Sequence, residues 1–105
     1  GLHLHLEPDP AEPGSKVRVR IHAWEPVARI EIGFVRGVVL EKRFRNPKRF
    51  FTVKVRVPER VEGRTVNCHA VAVTAEALAG GSADLPVLLL GEAVVPLSGV
   101  REVRE

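Results

Sequence analysis

Apolar and polar residues alternate with a period of two along most of this 105-residue chain, and Pro or Gly breaks the alternation about every eight to twelve residues. That rhythm restricts the fold more than any other feature. A strand turns successive side chains to opposite faces, so one face of each run can enter a core while the other meets water. Val dominates the apolar set, and branching at Cβ suits it to a pleated surface. No apolar run approaches the roughly 18 residues a spanning helix needs.

Seven runs can be read. Residues 2–6 carry Leu2, Leu4 and Leu6, with His3 and His5 between them. Three prolines and Gly14 then forbid regular structure over residues 7–15. Residues 16–23 put Val17, Val19 and Ile21 on one face and Lys16, Arg18, Arg20 and His22 on the other, and Trp24-Glu25-Pro26 is expected to end the run in a loop. Residues 27–34 gather Ala28, Ile30, Ile32 and Phe34. Residues 38–44 follow, broken by Asn46-Pro47. Residues 50–57 send Phe51, Val53, Val55 and Val57 inward, and Thr52, Lys54 and Arg56 outward. Residues 65–75 are apolar on both faces, as in a central strand. Residues 84–90 form the last run.

Three of these features resemble the B, E, F and G strands of bacterial immunoglobulin-like and fibronectin type III-like modules, over residues 1–91. They are Glu12-Pro13-Gly14-Ser15 before the Val17-Val19-Ile21 run, the block from Phe51 to Pro58 followed by Gly63 and the run from Val66 to Val73, and a final Val/Leu run after a Gly-rich turn. The resemblance implies a seven-stranded antiparallel immunoglobulin-like β-sandwich at 1–91. Residues 92–105 would be a linker to a further domain or an added edge strand. The antibody hallmarks are missing: Cys68 occupies the place of the second bridge cysteine but the matching positions on the other run are Val19 and Ile21, Trp24 precedes the third run, and Val66 occupies the tyrosine-corner position. The family also implies a non-catalytic interaction or spacer module of a larger, extracytoplasmic bacterial protein. Gly1 at the start and no Met anywhere suit a processed chain or a piece of a longer one.

Composition bears on what such a module meets. The net charge is +3, and Arg supplies twelve of the sixteen basic residues. An Arg/Glu surface suits a heat-stable protein, and the basic excess favours anionic partners. One cysteine, Cys68, permits no internal disulfide. As a nucleophile it would need a base, and His69 points to the opposite face, so Cys68 reads as a core residue. No phosphate loop, serine elbow or paired zinc cysteines occur, which argues against an enzyme, and no cofactor is expected.

If the first, second and fifth runs are neighbours, their outward residues make one basic face. Arg18, Arg20, Lys54 and Arg56 are its candidate contact residues, with Trp24 as a loop anchor or as a cap on the sandwich. Like charges side by side repel. Either Glu7 or Glu41 neutralises them, or an external protein or anionic polymer does. Nucleic acid is disfavoured because too few aromatics interleave the cations. Two alternatives compete. His3, His5 and His22 share the face at metal-binding spacing, as a small metal carrier would need, although the neighbouring cations oppose a bound metal. An accessory carbohydrate-binding domain is the other, against which the shortage of exposed rings counts.

Overall fold

In the computed structural model, which describes residues 1–34, 40–76 and 88–99, the chain is all-β and forms one curled antiparallel sheet. Its strands are β1 (Leu2–Glu7), β2 (Lys16–Phe34), β3 (Leu40–Arg56), β4 (Thr65–Thr74) and β5 (Leu88–Pro96). Among the described residues five strands stand where seven runs were expected, because two pairs of runs fuse. β2 continues through Trp24-Glu25-Pro26, and β3 continues through Asn46-Pro47.

The fusions have one physical cause. Proline removes a ladder donor, so it is tolerated only where no partner waits for that donor. Residues 24–26 of β2 and 44–47 of β3 have no register partner in the sheet. Pro26 and Pro47 therefore interrupt nothing. The ladder shifts on both sides of Val27, and between Val27 and Arg29 two steps of β2 oppose one step of β4, from Thr74 to Val73. This bulge reverses the side-chain alternation. Val17, Val19, Ile21, Ala23 and Val27 point inward before it, and Ile30, Ile32 and Phe34 do so afterwards.

β2 is the spine of the sheet. Its first half pairs with β1 on one side and with residues 50–56 of β3 on the other. Its second half pairs with residues 40–43 of β3 and with β4, and β5 adds to β4. The curl closes a core in which Val17, Val19, Val27, Ile30, Ile32, Val57 and Cys68 are fully buried. Each large aliphatic side chain contributes about 1.5–3 kcal/mol by leaving water. At Gly91 the curl brings β5 onto β1. A Cβ there would lie 2.7 Å from the Leu2 Cβ and 3.0 Å from the Leu2 carbonyl oxygen.

The last strand differs from the expected run at 84–90. Its residues 84–87 lie outside the described residues, and the strand extends to Pro96, past the expected boundary at residue 91. Beyond β5, Ala11 donates to the Pro96 carbonyl at 2.9 Å and Ser98 donates to the Ala11 carbonyl at 2.8 Å. The remainder of the expected tail, residues 100–105, is also outside the described residues. No described helix is long and apolar enough to cross a membrane.

Candidate functional site

The register of three strands assembles the outward face row by row. Arg56 partners Lys16 across β3 and β2. Next, Glu7, Arg18 and Lys54 lie abreast on β1, β2 and β3. The third row is His5, Arg20 and Thr52, and the fourth is His3, His22 and Phe50. Trp24 extends the β2 column beyond it. All four residues expected to make the basic contacts thus share one exposed surface with Lys16.

Neutralisation of this face is partial. Glu7 lies 3.4 Å from an Arg20 guanidinium nitrogen and 3.7 Å from the His5 imidazole. Arg56 donates to the Gly14 carbonyl at 2.6 Å. Gly14 turns there with φ of 79°, a conformation natural to glycine. Glu41, the other expected neutraliser, instead pairs with Arg43 at 2.9 Å, on the first half of β3. Among the described residues no carboxylate pairs with Lys16, Arg18 or Lys54. Two rows therefore hold cations directly opposite cations, an arrangement that opposes folding by Coulomb repulsion.

The lower rows are aromatic. The Phe50 ring stacks on His22 with centroids 4.3 Å apart and planes 17° apart. Trp24 meets the same imidazole edge-on at 5.2 Å. Both rings stay open to solvent, Phe50 at 67% and Trp24 at 60%. Trp24 was expected in a loop; it stands on β2, facing outward with the cations. Between Phe50 and the guanidinium groups runs a shallow open depression of about 590 Å³, lined by His3, His5, Arg20, His22, Phe50 and Thr52 among others.

The three histidines are neighbours without forming a metal centre. His3 and His22 are cross-strand partners, but His22 is committed to its ring stack. Among the described residues no three His, Cys, Asp or Glu side chains are placed to hold a metal ion. Cys68 is fully buried, and desolvation pushes its thiol from 9.0 up to about 11, so the nucleophilic thiolate is suppressed. His69, next to it in sequence, is exposed on the other face.

Two features of this surface escape a sequence reading. One is the Phe50–His22 stack, which depends on the β2–β3 register. The other lies on the outer face of β4 and β5, where Val71, Leu88, Leu90 and Val94 are exposed together. Val71 and Leu90 are register partners there. The unbroken Leu88-Leu89-Leu90 run was the available signal, since it lacks the polar residues that an outward face normally shows. Comparison with known proteins adds no assignment: no family model, no curated protein and no solved structure matches this chain.

Proposed function

We propose that this chain is a non-catalytic interaction module that engages an anionic partner through the face built from β1, residues 16–24 of β2 and residues 50–56 of β3. One observation carries the reading. Lys16, Arg18 and Lys54 sit abreast or in adjacent rows, and among the described residues no carboxylate lies within ion-pair distance of any of them. An internal lattice would remove the repulsion; among the described residues Glu7, opposite Arg18, is the one acid in these rows, and its ion pairs are with Arg20 and His5. A bound polyanion supplies the missing charge.

The architecture we infer for the module is an immunoglobulin-like sandwich. Its support is the change of neighbours along β2. Residues 16–23 lie with β1 and the second half of β3, whereas residues 27–34 lie with the first half of β3, β4 and β5. The shift around Val27 and the exposed stretch at residues 45–50 are where one layer would fold over into the other. A place in a larger extracytoplasmic bacterial protein fits this architecture and belongs to the same proposal. Metal carriage is not favoured, because the histidines face cations and His22 is stacked.

Amide NMR spectra recorded during titration with inorganic polyphosphate, at low and at physiological salt, test the binding face. Shifts at Arg18, Arg20, Lys54 and Arg56 that weaken steeply with salt support it. Immobile amides at those positions sink it and leave a spacer.

A further inference from the structure

The basic face ends in exposed rings, and this pairing narrows the partner. We infer that the face takes single-stranded nucleic acid, with phosphates on Lys16, Arg18, Arg20 and Lys54 and bases stacked on Phe50 and Trp24. The inference rests on the anion-binding reading above and names the class of polymer for that same site.

Sequence alone argued against nucleic acid because the cations lacked interleaved aromatics. The fold sets two exposed rings at one end of the cation rows. β2 carries Arg18, Arg20, His22 and Trp24 in one outward column, and β3 sets Lys54 beside Arg18 and Phe50 beside His22. A strand rises about 3.3 Å per residue, so the two-residue step along the column is about 6.6 Å. That spacing is close to the distance between successive phosphates of an extended single strand, and it keeps charge and ring within reach of one short oligomer.

Exposed rings beside cations are the working parts of sequence-tolerant single-strand binders. Stacking on the outer face of Phe50 requires no rearrangement, because His22 already supports the inner face at 4.3 Å. An acidic sugar would engage the same cations, and heparin stands among the competitors below for that reason. Duplex DNA hides its bases within the stack and leaves the two rings without partners.

The test uses fluorescence anisotropy of a labelled oligodeoxythymidylate of about 12 nucleotides, a length within single-strand site sizes. Competitors are polyphosphate of equal charge, heparin and a duplex. The sole tryptophan, with no tyrosine in the chain, makes Trp24 emission a second readout. The expected result is tighter binding of the oligonucleotide than of any competitor, with quenched Trp24 emission. Phe50→Ala and Trp24→Ala should each weaken it about 5- to 100-fold, as loss of one stacked base does, while Trp24→Phe largely retains it. Both residues are exposed, and melting curves identify any variant that fails to fold; the other variant then carries the test.

Equal affinity for oligonucleotide and polyphosphate, indifferent to Phe50→Ala and Trp24→Ala, overturns the inference but leaves the anion site standing. Preference for heparin overturns it in favour of an acidic polysaccharide, and preference for the duplex overturns it as well. Absence of binding to every polyanion removes both readings.

Discussion

Arg18 and Lys54 are register partners on β2 and β3, two exposed cations set side by side with no carboxylate between them among the described residues. Facing like charges cost about 0.2–1 kcal/mol. Lys54→Glu should therefore stabilise the fold by about that amount, since it converts repulsion into a cross-strand ion pair. It should also weaken polyphosphate binding. Urea denaturation alongside a binding titration checks both. Lower stability together with unchanged binding would mean that the face is not under the strain described.

Among the described residues, Glu7 is the one acid that forms ion pairs on the face, with Arg20 and His5. Its pairs are exposed, so Glu7→Gln should change stability by less than about 1 kcal/mol. The same substitution frees Arg20, and polyanion affinity should rise. A titration at low salt measures the effect, and a fall in affinity would place Glu7 among the contacts instead of the competitors.

Gly91 is fixed by space. A methyl group there would meet the Leu2 Cβ at 2.7 Å and the Leu2 carbonyl oxygen at 3.0 Å, and backbone cannot swing aside as a side chain can. Gly91→Ala should destabilise the fold by about 1–3 kcal/mol, the usual cost of overpacking. A denaturation midpoint equal to the wild type would show that β5 does not close onto β1.

Cys68 gives a pH signature. Burial raises its thiol from 9.0 to about 11, so between those values the unfolded chain releases a proton that the folded chain keeps. Stability is then independent of this group below pH 9 and falls as pH rises from about 9 to 11, in total by about 2–3 kcal/mol. Cys68→Ala should flatten that part of the stability profile, whatever its packing cost at neutral pH. The native thiol should also resist alkylation until the chain unfolds.

Much of this architecture was legible from alternation alone. The inward sets Val17, Val19, Ile21 and Val53, Val55, Val57 lie in the core as their spacing required. The basic face needed one further step, the pairing of the first, second and fifth runs, and the register supplies it. The fused strands were not legible, because the cost of Pro26 or Pro47 depends on whether a partner lies opposite, and that depends on the path of the whole sheet. The Phe50–His22 stack joins residues 28 positions apart and exists only in one register. Gly91 looks like any turn glycine until β1 is placed against it.

Whether Arg18 and Lys54 contribute charge to a polyanion site is read most directly from polyphosphate affinity as a function of salt, for the wild type and for the Arg18→Ala/Lys54→Ala double variant. Each cation lost should reduce the steepness of log K against log salt by roughly 0.7, the value for single-stranded polyanions, and lower the affinity at low salt. Equal slopes and equal affinities in the two proteins would mean that neither cation meets the polyanion.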